Sequence, residues 1–392
     1  MQYLIGNHSL MKRINRTRVM NLLRINGTLS RAEMTEATGL DSKSLTNITG
    51  ELLSEGWLES CGLSNPAIGR PRQLLRIRSN SGSFIGVALS PGRVVAVRCG
   101  LDGAIQAESS QDISPDAGIE SLMEAVFRLI DSLIGISGAA RQIGFAAPGV
   151  IMPEGSGFLL SVNIPGFRDI PVGDMLAERY GIPVSIEDSS RSMAIAESWF
   201  GRARGVENFL LVDIDIGIGL GIYSEGRIYR GTSNSSGEMG HTVIKRDGPL
   251  CYCGNRGCLE TLASGRALLE KISGIRQSGR YSSEDLNRLK EAAAVGDTEV
   301  VNLLKQAGEH IGMAVANAVN LFNPRMLIFA GPLAWEDSPL VESARRDLSV
   351  HTLSSSLRQL AVQVSSLHDG AALGAAALAL REVYEVEGVL AI

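Results

Sequence analysis

Apolar positions near the start of the chain recur at helical spacing and are cut at short intervals. Residues 15–26 read as one helix, with Val19, Leu22 and Leu23 on its apolar face and Gly27 ending it. Ser30-Arg-Ala-Glu33 is a capping box, so a second helix starts at Ser30, runs to about Thr38 and stops at Gly39. Asp41 can cap a third helix, whose buried face is Leu45, Ile48 and Leu52. Ser42, Lys43, Ser44, Thr46, Asn47 and Thr49 fall on its other face, and Gly56 closes it. After Trp57 and Leu58 a β-wing is predicted, with Gly69-Arg70-Pro71-Arg72 at its tip and residues 74–78 as a strand.

Beyond residue 80 the pattern changes to short β-like runs. Residues 84–89, 94–99 and 104–108 are separated by Gly-containing turns; 119–134 is an amphipathic helix and 142–147 a buried strand. A second strand set begins at 209–214 and continues through 221–223 and 227–229. The order strand, strand, strand, helix, strand therefore begins twice, which predicts a duplicated α/β body with a cleft between two lobes. Helices are expected at about 284–307, 309–322 and 371–384, and a buried strand at 326–329.

Composition adds little to the fold but much to the function. Of 392 residues 44 are Gly and few are aromatic, which suits α/β better than a β-sandwich. There is no run of 18 uncharged apolar residues, and Lys12 and Arg13 follow the short N-terminal apolar stretch rather than precede it, so neither a membrane span nor a signal peptide is expected, and the location is read as cytoplasmic. The net charge of −5 is uneven: residues 1–80 carry 11 Lys/Arg against 6 Asp/Glu. A basic head on an acidic body predicts that only the head meets a polyanion. Helix, short turn and helix with a polar, basic outer face is the helix-turn-helix pattern, and the third helix would enter the major groove of double-stranded DNA through Ser42, Lys43, Ser44, Thr46 and Asn47. Arg70 and Arg72 would reach a narrow minor groove or phosphates.

The most specific chemistry is His241 with Cys251, Cys253 and Cys258. Three thiolates on a tight loop plus one imidazole make a tetrahedral site for structural zinc, with no coordination position left open.

These residues carry a resemblance. Gly217-Ile-Gly-Leu-Gly221, Gly231 and Gly237-Glu-Met-Gly-His241 resemble the signature of the ROK family (repressors, open reading frames and kinases of sugars), and residues 251–260 (CYCGNRGCLE) match its zinc segment. The basic head is similar to that of the family's repressor branch. The resemblance implies an N-terminal winged helix-turn-helix followed by a two-lobed, actin-like (ribonuclease-H-like) sugar-kinase fold. The domains would be 1–80, 81–200 completed by a C-terminal helix at about 371–392, and 201–370. It also implies a homodimer or homotetramer. Sugar contacts carried over by matching position are Asn163, Asp188, Glu238, His241 and Glu260. Carboxylates and amides suit hydroxyl groups, and His241 would hold zinc through one ring nitrogen and bond ligand through the other.

The chain departs from the family where a kinase needs its machinery. Ala88-Leu-Ser-Pro-Gly92 stands where an Asp and Gly-Gly-Thr belong, and Asp215-Ile-Gly217 where Gly-Thr-Gly belongs. Ser189 replaces the catalytic Asp, and the late Gly-rich adenosine pattern is reduced to Ala330-Gly-Pro332. A carboxylate at Asp215 would repel the phosphates it should cradle. The expectation is a DNA-binding transcriptional repressor whose operator binding is modulated by a sugar or sugar derivative in the interlobe cleft, with no ATP and no catalysis. The alternatives implied by the resemblance are control by a protein partner, such as a sugar-transport phosphotransferase component, and, disfavoured by these departures, an active sugar kinase.

Overall fold

The computed structural model describes residues 8–64, 71–114, 116–136, 139–152, 154–164, 166–274 and 281–385. The head is built from α1 (His8–Asn26), β1 (Leu29–Ser30), α2 (Arg31–Thr38), α3 (Ser42–Ser54), β2 (Leu58–Leu63) and β3 (Gln73–Ile77), the three strands lying in the order β1-β3-β2. The capping box is formed: Ser30 Oγ accepts from the Glu33 amide, and the Glu33 carboxylate accepts from the Ser30 amide at 2.7 Å. Asp41 caps α3 by accepting from the Ser44 amide at 2.9 Å. Val19, Met34, Leu45, Leu52 and Leu75 belong to a buried apolar cluster that runs on from the head into the body, to Trp199, Leu380 and Tyr384. Two expectations change. The first helix begins at His8, not at residue 15. Thr49 is fully buried instead of facing outward: its hydroxyl donates to Leu45 O at 2.9 Å and accepts from Arg31 Nε at 2.8 Å, so the buried stripe of α3 is one position wider than the aliphatic residues indicate. Gly69 and Arg70 of the wing tip lie outside the described residues.

The body contains two five-stranded sheets of one design. The first uses the antiparallel strands β4 (Ser83–Ser90), β5 (Arg93–Gly100) and β6 (Ile105–Asp112), then α4 (Ile119–Ile134) and β7 (Ala140–Ala147). A small sheet of β8 (Val150–Ile151), β9 (Phe158–Leu160) and β10 (Arg168–Ile170) follows, then α5 (Val172–Tyr180), β11 (Val184–Asp188) and α6 (Ser189–Phe200). The second uses the antiparallel strands β12 (Phe209–Ile214), β13 (Ile218–Ser224) and β14 (Arg227–Ile228). Helices α7 (Leu259–Ala263), α8 (Gly265–Ser273), α9 (Ser283–Ala294) and α10 (Thr298–Phe322) lead to β15 (Met326–Ala330). Helices α11 (Pro339–His351) and α12 (Ser354–Leu357), strand β16 (Ala361–Val364) and α13 (Gly370–Tyr384) complete the chain. The strand orders, β11-β7-β4-β5-β6 and β14-β13-β12-β15-β16, are the same permutation, with the last two strands of each set parallel to the first. The duplicated order expected from the apolar runs is thus present.

The break between the long helices is not at residue 308, where a Gly suggested it. It falls between Ala294 and Thr298, where Gly296 takes φ 80° and Asp297 caps α10 through the Glu299 and Val300 amides. Gly308 sits inside α10, where a Cβ would lie 2.2 Å from Leu340 O; it permits close packing on α11.

Helix α13 lies across the first sheet and against α6, and its end anchors the head. Asn21 Nδ2 of α1 donates to Tyr384 O at 2.6 Å. The Arg24 guanidinium lies 4.2 Å above the Trp199 ring and 5.6 Å from that of Tyr384, and these two rings meet edge-on at 5.4 Å. Among the described residues no helix is long and apolar enough to cross a membrane.

Helix α13 can lie flat on β7 only because residue 144 has no side chain: a Cβ there would stand 1.8 Å from Ala375 O. Replacing Gly144 by Ala should lower the unfolding free energy by about 1–3 kcal/mol, the usual cost of overpacking. Urea denaturation measures it; a loss below about 0.5 kcal/mol would mean the helix can lift off the sheet freely.

Candidate functional site: an interlobe cleft beside a metal-binding cluster

The carboxyl ends of the central strands of both sheets open into one cavity of about 1070 Å³. Asn163, Asp188, Glu238, His241 and Glu260 all line it, together with Ser189, Asp213, Asp215 and Tyr252.

At one wall His241, Cys251, Cys253 and Cys258 place their ligand atoms within 4.8 Å of one another. Sulfurs held 2.3 Å from a common tetrahedral centre lie about 3.8 Å apart, and a sulfur and an imidazole nitrogen slightly closer. Cys253 Sγ and Cys258 Sγ are 3.7 Å apart, and Cys251 Sγ and His241 Nδ1 are 3.6 Å apart. The four can therefore hold a metal ion, and three soft sulfurs with one nitrogen fit zinc. Without metal, burial first, and then hydrogen bonds with the neighbouring thiols, push the Cys258 thiol up to about 12. A bound cation reverses that by stabilising the thiolate. The loop is fixed by isolated bridges between Val243 and Cys258 and between Leu250 and Arg256. Cys258 is also the N-cap of α7, so the cluster sets the position of Glu260, two residues on.

The other cleft residues are held by neighbours that sequence reading did not single out. Asn163 Oδ1 accepts from Arg266 Nη2 at 2.6 Å, which leaves its amide N–H groups for a ligand. Asp188 caps α6, accepting from the Ser190 and Arg191 amides at 3.1 and 3.2 Å. Burial raises its carboxyl against the pull of Arg191. Glu238 is pushed up to about 7, by burial first and then by Asp188. Burial likewise raises Glu260, whose Oε2 accepts from the Ile218 amide at 3.5 Å. Behind this wall Glu187 is fully buried between Arg191 Nε at 2.7 Å and Arg230 Nη2 at 2.6 Å, and Arg191 Nη1 donates to Ser236 O at 3.0 Å. Arg191, Arg230, Arg266 and Tyr252 were missed; a lone Arg or Tyr carries no motif, and only the three-dimensional pairing reveals them.

In the opposite half of the cleft the lining residues hold one another. Ser283 Oγ donates to both Asp215 carboxylate oxygens, at 3.0 and 3.1 Å, and the Ile216 amide donates to Asp215 Oδ1 at 2.8 Å. The turn after β4 meets α9 there: the Ser283 amide reaches Pro91 O at 3.4 Å, and a Cβ on Gly92 would lie 2.5 Å from Ser282 Cβ. Asp213 accepts from Ser190 Oγ at 3.1 Å and is pushed up to about 8, by burial first and then by Asp215 and Asp188.

On the head, Ser42, Lys43, Thr46 and Asn47 of α3 are exposed, as is Arg72 of the wing. Two hydroxyls of that face already have partners: Ser44 Oγ donates to Asp41 at 2.6 Å, and Thr46 Oγ1 to Ser42 O at 2.7 Å.

Residues 87–382 match the family described as "ROK family". The chain is 30% identical to the xylose repressor of Caldicellulosiruptor bescii over 97% of its own length and 98% of that protein's. Among solved structures it resembles a ROK family transcriptional regulator, a homologue of the E. coli MLC protein, with a TM-score of 0.80, 27% identity and coverage of 96% of this chain and 97% of that one. A ROK hexokinase from Thermus thermophilus is similar at a TM-score of 0.60 and 29% identity, and it covers 77% of this chain but 99% of its own. The two-lobed sugar-kinase fold and the added head are thereby both accounted for.

Two outcomes test this geometry. Purified protein should carry about one equivalent of zinc, and Cys258→Ser should reduce it at least tenfold by elemental analysis. Asp213 has a folded value above its unfolded one, so the native state keeps a proton that the unfolded chain releases. Its stabilising share is complete at acid pH and is lost as pH rises from about 4 through about 8. Asp213→Asn should therefore unfold in urea with a flatter pH profile, gaining on the wild type towards pH 8; parallel profiles would contradict the buried, protonated state.

Proposed function

The chain belongs to the ROK family, and from that premise we propose that it is a DNA-binding transcriptional repressor whose operator affinity changes when a sugar fills the cleft. The observation that carries this reading is the course of α6. The helix is capped in the cleft by Asp188 and ends with Trp199 beneath Arg24 of α1. Its twelve residues span about 18 Å as one stiff rod. A displacement at the cap is delivered to the helix that carries the head. Ligand can act only by binding one lobe geometry better than another.

The residue roles follow from that reading. Asn163, Asp188, Glu238, His241 and Glu260 receive sugar hydroxyls. The outer face of α3, with Ser42, Lys43, Ser44, Thr46 and Asn47, enters the major groove, and Arg70 and Arg72 of the wing reach phosphates or the minor groove. Residues 1–80 form the DNA-binding unit; residues 81–200 with the C-terminal helix, and residues 201–370, form the lobes. In a homodimer or homotetramer the two heads would meet half-sites one helical turn apart, so a change in lobe angle changes their fit. Zinc at the Cys₃His cluster is structural, since four protein ligands leave no position for an activated water. Phosphoryl transfer is not part of the function. Ser189 offers no base near neutrality, Ala88 removes a family acid, and Asp215, a carboxylate bonded to Ser283, lines the half of the cleft where phosphates would lie. The cytoplasm, where DNA and free sugar meet, is the proposed location.

D-xylose is the first sugar to try, because a xylose repressor is among the similar proteins. DNA selected from a random pool should bind the full chain, and a sugar should change that affinity in fluorescence anisotropy. Lys43→Ala should weaken binding across sequences and reduce the salt slope by about 1. Arg24→Ala should keep sugar binding and shrink the sugar-induced change in DNA affinity at least fivefold, because the end of α6 then loses its cation–π contact with the head. The reading fails if DNA affinity is indifferent to every sugar tried and to Asp188→Asn and Glu238→Gln.

A further inference from the structure

Tyr252 stands between two of the metal-binding cysteines, and its side chain turns into the cleft. Its hydroxyl lies 2.8 Å from His241 Nε2, and the two rings meet edge-on with centroids 5.0 Å apart. Glu260 lines the same cleft, and its charge is felt by the phenol. His241 Nδ1 faces the sulfur cluster, so the imidazole that binds metal there carries its proton on Nε2. Nε2–H then donates to the phenol oxygen. One hydroxyl of a sugar would accept the same bond from the imidazole.

We infer that Tyr252 is an internal occupant of the sugar subsite, which a ligand hydroxyl displaces on binding. This rests on the reading of the cleft as a sugar site and deepens it. His241 is not idle while the cleft is empty; a side chain of the protein satisfies it. Tyr252 is half exposed, so its ring can rotate outward about its own side-chain bonds while Cys251 and Cys253 stay in place. Ligand affinity is therefore set by a competition. Only a hydroxyl that reaches His241, and gains further bonds at Asn163, Asp188, Glu238 or Glu260, wins the site. The displaced ring also leaves the cleft for the outer face of the metal loop, where Leu250 is exposed. Tyr252 is thus a positioning residue for specificity and the first part of the body to move.

Isothermal titration of the zinc-loaded full chain with D-xylose, D-glucose and their phosphates reads the competition. Tyr252→Phe deletes the competing hydroxyl and keeps the ring, so any probe that binds should bind the variant about fivefold tighter. A probe too weak to detect with the wild type but bound by Tyr252→Phe supports the inference equally. Unchanged or weaker binding by Tyr252→Phe overturns it, makes Tyr252 at most a direct ligand contact and leaves the sugar reading standing. Silence from every probe with both proteins removes the sugar reading and this inference together. A second readout needs no sugar. Transfer of zinc to a chromophoric chelator should be several-fold faster from Tyr252→Phe, because His241 loses the partner that orients its ring. Unchanged transfer would mean that the contact with His241 does not form in solution, and would also overturn the inference.

Discussion

A carboxylate with no access to water governs the arrangement of the cleft. Glu187, at the end of β11, is fully buried, and burial alone would raise it. Arg230 and Arg191 outweigh burial and hold it below the usual carboxylate range. The two guanidiniums come from different places: Arg191 from the first turn of α6, and Arg230 from just beyond β14 of the second sheet. The first sheet is therefore tied to the second through one ionised group. A buried pair of this kind adds little net stability over an apolar replacement, but loss of one partner costs about 3–5 kcal/mol. Its contribution is to select one geometry. Arg191 also holds the Ser236 carbonyl, so the backbone that carries Glu238 is registered against the helix capped by Asp188. Two cleft carboxylates from different parts of the chain thus share a single reference point.

The metal cluster supplies a second reference point from the far wall. His241 follows Glu238 by one 3₁₀ turn, and Cys258 precedes Glu260 by two residues. Four donors drawn together by one ion would fix both carboxylates at once, from the side opposite the apolar core of Met239, Leu259 and Leu262. This suits a cleft lining, where apolar packing is scarce on the side that faces solvent. The cost is a concentration of negative charge. Asp188, Asp213, Glu238 and Glu260 are all raised, burial being the first cause in each case. Raised carboxyls can donate as well as accept hydrogen bonds, and hydroxyl-rich ligands can use both.

Much of this was legible in the sequence, for reasons that differ by element. The capping box at Ser30 and Glu33, the Asp41 cap and the Cys₃His spacing are local, and local chemistry is written in consecutive residues. The repeated strand order was legible because buried central strands read as apolar runs. What escaped were features set by distant partners. Gly308 looked like a helix end, but its role is to admit α11. Thr49 looked like a surface residue until Arg31 was brought to it. Arg191 and Arg230 are individually unremarked arginines; only the closure of the two sheets places Glu187 between them. Asp215 was read as hostile to phosphate; its partner in the structure, Ser283, lies in a helix that nothing in the sequence connects to it.

The same distinction bears on how a ligand could be felt by DNA. Residues that contact ligand are local to the cleft, whereas the response must travel to the head, and only a continuous rigid element carries displacement without loss. Helix α6 is such an element: its cap is a cleft carboxylate, its body packs on α13, and its last turn supports both Arg24 and Tyr384. α13 in turn holds α1 through the Tyr384 carbonyl. The joint has an apolar part as well: Val19, Met20 and Leu23 of α1 belong to one buried cluster with Trp199, Leu380 and Tyr384. Polar, aromatic and apolar contacts together seat the head on the ends of α6 and α13, so on the proposed reading a shift of α6 is passed to α1 as a whole.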